Sequence, residues 1–234
     1  MIETATVRAA TAVVYGVAFL GLAAATRIVP AGLRRYCYPL VAVVGLAGVS
    51  LSFQLWGVGA VTTAHGTVFV STLVSQTVAY TVLYGAVTRL AGVSYRLTAV
   101  IVGVALLPTY VSRLGGLIDG GSLFTLVSLA SFVVPFPVLA YLFLRPIWRS
   151  AQEVSRYRRL LHWKTRNVIL FLYGMLLVYI AVVLGGLVAD PVISELLLRY
   201  TALVFNVGIP AFLIHELVTD GDRLVAELQA PATG

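Results

Sequence analysis

Seven apolar runs, each close to the roughly 20 residues needed to cross about 30 Å of hydrocarbon, occupy most of this chain. They fall at 9–25, 38–60, 67–87, 97–118, 123–144, 167–188 and 192–217. Hydrocarbon offers a backbone no hydrogen-bond partner, so such runs fold as helices. The segments between them are short except at 145–166, and none resembles a soluble domain or an internal repeat. The expected architecture is therefore all-α: a single polytopic domain over residues 1–234, folded as a seven-helix transmembrane bundle. With 60% hydrophobic and 11% charged residues, the chain also lacks the polar surface of a water-soluble globule.

Positive charge alternates along the chain. The first, third and fifth connections hold Arg27, Arg34 and Arg35, then Arg89 and Arg96, then Arg145, Arg149, Arg156, Arg158, Arg159, Lys164 and Arg166. The other connections hold almost none, with Arg113 near one boundary and acidic Asp119 and Asp190 beside it. The positive-inside rule then places the N-terminus outside, the C-terminus inside and the protein in the cell membrane. Topology accounts for the net charge of +7, so the lipid bilayer is an expected partner and nucleic acid is not. The lone cysteine, Cys37, permits no internal disulfide, and the first run lacks the basic leader of a cleavable signal peptide. His65, His162 and His215 are far apart, and no metal, nucleophile-elbow or phosphate-loop motif occurs. Neither a metal site nor catalysis is expected.

All nine acidic residues, at positions 3, 119, 153, 190, 195, 216, 220, 222 and 227, fall at span ends, in loops or in tails. A proton path across a bilayer uses ionisable groups at depth, so proton pumping is not expected. The only lysine, Lys164, lies in the basic connection and outside every apolar run.

Polar residues at depth follow helical spacing. Thr72, Ser75, Gln76 and Tyr80 recur at i, i+3, i+4 and i+8, placing them on one face of the third span. Ser50 and Gln54 are four apart on the second span, and Arg199 and Asn206 are two turns apart on the seventh, about 10 Å. These residues suit a shared interior site; equally, they suit interhelical hydrogen bonds worth about 1 kcal/mol each. Glu195 precedes Arg199 by four residues, the favourable order for a helical ion pair. That pair reads as a functional group or as a snorkelling arginine neutralised at the outer interface. Pro210 has no amide hydrogen for the carbonyl of Asn206, which leaves that carbonyl open to water or a neighbouring side chain.

Four segments carry a family resemblance: Leu33-Arg34-Arg35-Tyr36, Gly57-Val58-Gly59, Arg166-Asn167-Val168 and Asn206-Val207-Gly208. On these the chain resembles the microbial rhodopsins, in particular the haloarchaeal sensory type, along nearly its whole length. The resemblance implies a retinal Schiff base on a seventh-helix lysine with carboxylate counterions, and this sequence departs from it at each of those positions. The lysine position is Asn206, and the two counterion positions are Ser75 and Ala202. The third-helix arginine and tryptophan positions are Thr72 and Gln76, and the following threonines and proline fall on Ala79, Tyr80 and Thr81. The proton-donor position is Ala86, and the sixth-helix tryptophans that sandwich retinal correspond to Tyr173 and Ile180. Loss of the base removes the need for its counterions, since an unpaired buried aspartate costs several kcal/mol.

Three functions fit a bundle without covalent retinal. The first is a regulatory or signalling partner acting through protein contacts, as a homo-oligomer or with another membrane protein. Tyr200 falls where the resemblance implies a transducer-facing tyrosine, and the basic connection suits acidic partners or anionic lipids. The second is a sensor that binds retinal, a carotenoid or another apolar ligand noncovalently, with Tyr80 and Tyr173 lining a reshaped pocket. The third is passive conduction of ions or solutes along the polar face of the third helix, with Arg199 favouring anions.

Overall fold

The structure is a computed structural model that describes residues 3–63, 66–114, 126–127, 129–131, 133–184 and 190–229. Its helices are α1 (Thr4–Ala25), α2 (Arg34–Leu55), α3 (Val70–Leu90), α4 (Tyr95–Leu114), α5 (Pro135–Leu144), α6 (Pro146–Gln152), α7 (Arg156–Leu184), α8 (Pro191–Leu203) and α9 (Ile209–Gln229). The fifth leg contains α5 and α6, and α8 and α9 form the seventh around an intervening π turn. Among the described residues, six helical stretches are long and apolar enough to cross a membrane, and the fourth helix has a shorter apolar stretch, Tyr95–Val111.

Each leg packs on the next, and α8 returns against α1 to close the bundle, while α3 crosses to α7. Burial is densest toward the arginine-rich end, where Leu83, Leu139, Phe143, Ile147 and Ile169 are at most 1% exposed. Large apolar residues such as Val13, Val17, Leu20 and Phe171 face outward, as a bilayer-embedded surface requires.

Glycine punctuation sets the helix ends. At the end of α2, Gly57 takes φ +67°, the Gly57 amide donates to the Gln54 carbonyl and the Val58 amide to the Phe53 carbonyl. The end of α3 repeats this arrangement: Gly92 takes φ +74°, its amide donates to Arg89 and the Val93 amide to Thr88. Both are Schellman caps, which use the left-handed region to satisfy the last carbonyls of a helix. At the start of α8, the Asp190 carboxylate accepts from the Val192 amide at 2.8 Å ahead of Pro191.

Three sequence expectations need correction. Residues 56–60 and 67–69 do not extend the second and third spans; they form a turn and an antiparallel hairpin of β1 (Ala60–Thr63) and β2 (Gly66–Phe69). Gly57 and Gly59, both with positive φ, break the helix, and the β-branched residues that follow are apolar enough to read as membrane span. The connection 145–166 is not a loop: α6 covers part of it, and α7 begins eleven residues before the expected sixth span. Lys164 therefore sits on a helix, paired with Glu216 at 2.7 Å. The ends of the expected spans at 115–118, 123–125 and 185–188, with His65 and Asp119, lie outside the described residues.

The basic segment is ordered because it completes α3. Arg158 donates to the Arg89 carbonyl at 2.7 Å, His162 Nδ1 lies 3.0 Å from the Val87 carbonyl, and Ser150 donates to the Ala91 carbonyl at 2.9 Å. Donors on α6 and α7 thus serve the carbonyls at the end of α3. Arg166, 8% exposed, lies over the Trp148 ring at 4.5 Å.

Gly92→Ala is expected to lower stability by about 1–2 kcal/mol, because alanine pays for a left-handed φ and its Cβ would lie 2.9 Å from Val154 Cγ1. Denaturant unfolding in bicelles measures this; an unchanged midpoint would contradict the cap assignment.

Candidate functional site

The bundle contains a partly open cavity of about 320 Å³, at the lower end of the range typical of small-molecule sites. Five legs build its wall. Gln76, Ala79, Tyr80 and Tyr84 come from α3, Pro108 and Thr109 from α4, and Phe136 and Leu139 from α5. Ile169, Tyr173, Tyr179 and Ile180 come from α7, and Leu198, Ala202, Phe205 and Asn206 from the seventh leg. The α7 wall runs from Ile169 to Ile180, about 16 Å along the axis at 1.5 Å per residue. The cavity is thus elongated along the bundle.

Aromatic packing shapes its end toward the basic side. Tyr84 and Tyr173 share a hydroxyl–hydroxyl hydrogen bond at 2.5 Å, and Phe136 packs against Tyr173 with ring centroids 5.5 Å apart. Phe205 meets Tyr80 edge-on at 5.1 Å and Tyr84 at 6.0 Å. Such contacts give large side chains defined positions at little entropic cost.

Asn206 lies on the π turn Val204–Gly208. There the Ile209 amide donates to the Val204 carbonyl, five residues back, one register longer than an α-helix. Pro210 follows immediately and gives the Asn206 carbonyl no amide donor. The side chain of Asn206 lines the cavity and donates through Nδ2 to the Tyr15 hydroxyl at 3.3 Å.

The polar residues singled out in the sequence divide into two groups. Gln76, Tyr80, Tyr173 and Asn206 reach the cavity wall, as does Ala202. Thr72 and Arg199 instead belong to a network away from it. Glu195 accepts from Arg199 Nε at 2.8 Å and from Arg8 Nε at 2.7 Å, and Arg199 Nη2 reaches Gln54 Oε1 at 3.4 Å. Gln54 Nε2 then donates to Thr72 Oγ1 at 2.9 Å. One carboxylate and two guanidiniums therefore tie α1, α2, α3 and α8 together. Ser75 is buried and donates to the Thr72 carbonyl at 3.1 Å, and Ser50 lies 3.4 Å from Ser71 across the α2–α3 contact. Tyr200 is 54% exposed on the outer surface of α8.

Sequence reasoning did not select Arg8, Tyr15 or Tyr84. Tyr84 continues the i+4 row of Thr72, Gln76 and Tyr80, and that spacing was the available signal. Arg8 and Tyr15 meet partners 187 and 191 residues away, and local spacing carries no trace of such pairs.

The wall carries no lysine, aspartate or glutamate among the described residues. Lys164 is held by Glu216 outside it. A covalently bound retinal needs an amine on this wall, so the residues present do not fit one.

No protein-family model matches the sequence. No curated protein matches it either. Solved structures do match. Cyanorhodopsin N4075R from the cyanobacterium Tolypothrix aligns with a TM-score of 0.78 over 94% of this chain and 98% of its own, at 15% identity. The light-driven proton pump of Coccomyxa subellipsoidea aligns at 0.76 over 92% and 98%, with 14% identity. This chain has the microbial rhodopsin fold. Thermophilic rhodopsin from Rubrobacter xylanophilus agrees, at 0.73 over 93% and 98% and 15% identity. At these identities the likeness concerns the fold alone.

Glu195→Gln leaves Arg8 and Arg199 facing each other without a carboxylate and is expected to cost about 2–3 kcal/mol, at or below the usual loss for a broken buried pair because Arg8 is partly exposed. Arg8→Gln should cost clearly less. The two midpoints in detergent unfolding measure the difference, and equal losses would contradict Glu195 as the hub.

Proposed function

We propose that this is a rhodopsin-fold membrane protein that works without a covalent chromophore, as a regulatory or signalling protein whose state is set by an apolar molecule held noncovalently in the interior cavity. One observation carries the reading: an aromatic-lined cavity is present whose wall, among the described residues, offers Asn206 and no amine or carboxylate. An aromatic wall of this size suits a small apolar ligand. The same wall argues against pumping, because a proton relay through it would be expected to use carboxylates or histidines, and the described wall residues include neither.

The matched Coccomyxa protein is a light-driven proton pump, whereas this chain carries Ala202, Ser75 and Ala86 at the positions to which the resemblance assigns carboxylates. Family membership, the outside N-terminus and the cell membrane as location belong to this reading. They are supported by the shared fold and by the concentration of arginines in the first, third and fifth connections. A partner in the membrane is supported by the outward stripe of Ile193, Leu196 and Tyr200, each at least 44% exposed. Arg145, Arg149 and Arg156 remain exposed at the basic end for an acidic partner or anionic lipid.

Incubation with all-trans-retinal followed by borohydride is expected to leave the mass of the denatured polypeptide unchanged, whereas Asn206→Lys should gain a retinyl adduct. Illuminated liposomes carrying the native chain and retinal should show no pH change. A trapped adduct on the native chain, or light-driven proton flux, would overturn the proposal.

A further inference from the structure

Three arginines with no carboxylate partner adjoin the turn from α3 to α4. Arg89, exposed, is the penultimate residue of α3, and its guanidinium lies over the Tyr95 ring, 4.3 Å from the centroid. Arg158 reaches the same residue from α7, donating through Nη2 to the Arg89 carbonyl at 2.7 Å. Arg96, also exposed, follows Tyr95 in the first turn of α4. None of the three forms an ion pair among the described residues. Stacking on an aromatic ring engages the face of a guanidinium and leaves the N–H groups at its edge free to donate.

The helices that carry these residues set their depth. The span Val70–Leu90 ends here and the apolar stretch Tyr95–Val111 begins here. Arg89, Arg96 and Tyr95, the last 73% exposed, therefore lie where hydrocarbon gives way to headgroups. From Tyr95 an exposed row continues along α4 through Ala99, Gly103 and Leu107, four residues apart and so on one face. The row covers about 18 Å at 1.5 Å per residue, close to one leaflet, half of about 30 Å of hydrocarbon. Ala99 and Gly103 make it shallow between two larger residues, and a Cβ at Gly103 would meet nothing within 4 Å.

We infer that this surface binds an anionic phospholipid, with the phosphate on Arg89, Arg96 and Arg158 and one acyl chain along Ala99 and Gly103. Guanidiniums bind phosphate through paired N–H donors, and a choline headgroup would add a cation that the arginines repel. An apolar row that leads from the arginines into the hydrocarbon favours a lipid over an acidic protein segment, which would leave the row unused. The inference rests on the anionic-lipid contact proposed above and assigns it to other residues. It does not depend on what the cavity holds.

The test uses the full chain in detergent micelles, titrated with phosphatidylglycerol or phosphatidylcholine of the same acyl chains and read by native mass spectrometry. One phosphatidylglycerol should bind about tenfold more tightly than phosphatidylcholine. Arg89→Gln with Arg96→Gln should bring the two affinities within about twofold. If that double variant does not fold, Arg96→Gln alone should cut the preference about threefold and decides. Gly103→Leu, which fills the open part of the row, should weaken both lipids and keep the preference. Arg145→Gln with Arg149→Gln should leave the preference unchanged. A preference lost there and kept in the Arg89 and Arg96 variants would overturn this site and leave the broader lipid contact standing. Equal affinities on the native chain would overturn both. A hexaglutamate peptide that displaces phosphatidylglycerol and loses binding in the Arg89 and Arg96 variant would overturn the lipid assignment in favour of an acidic segment.

Discussion

Charge in a low-dielectric bundle has to be neutralised on the spot, and the arrangement of this protein depends on how that is done. The Glu195 carboxylate accepts from Arg8 and Arg199, and Arg199 extends through Gln54 to Thr72. Three legs are joined there by charge-assisted bonds, stronger than neutral ones and costly to break once solvent is excluded, and the neutral Gln54–Thr72 bond adds the third leg. At the other end Lys164 pairs with Glu216, while Arg158 and His162 face the last carbonyls of α3. With charge confined to the two ends, the middle is left for aromatic packing around a cavity.

That separation links fold to function. A Schiff base would need an amine and a compensating carboxylate, and at the positions to which the resemblance assigns them this chain carries Asn206, Ala202 and Ser75. Neutral residues at all three positions are mutually consistent, since retaining a single carboxylate would bury an unpaired charge. Asn206 keeps a polar role, bonding Tyr15 from a π turn that Pro210 helps to open. Where the resemblance implies an arginine on the third leg, Thr72 is linked to Arg199 of the seventh through the side chain of Gln54 on the second.

Much of the fold was legible in the sequence because hydropathy and helical spacing are local. The seven legs, the inward face of α3 and the Glu195–Arg199 pair all follow from residues within a few turns of one another. The helices within the basic segment 145–166 were hidden because its arginines suit a polar connection until the carbonyls served by Arg158, His162 and Ser150 at the end of α3 are known. Division of the polar residues between network and cavity was also hidden. Thr72 and Gln76 share a face and differ by one turn of depth, about 6 Å, yet one bonds Gln54 and the other lines the cavity. Neighbouring legs make that distinction, and their sequence lies far away.

The proposed function requires the cavity to hold a small molecule without a covalent bond. Mass spectrometry of the protein isolated from its own membranes, recorded first under native and then under denaturing conditions, tests this most directly. A stoichiometric small-molecule excess is expected in the native spectrum and should disappear on denaturation, leaving the polypeptide at the mass of its sequence. An excess that survives denaturation, or a native spectrum with none, would contradict it.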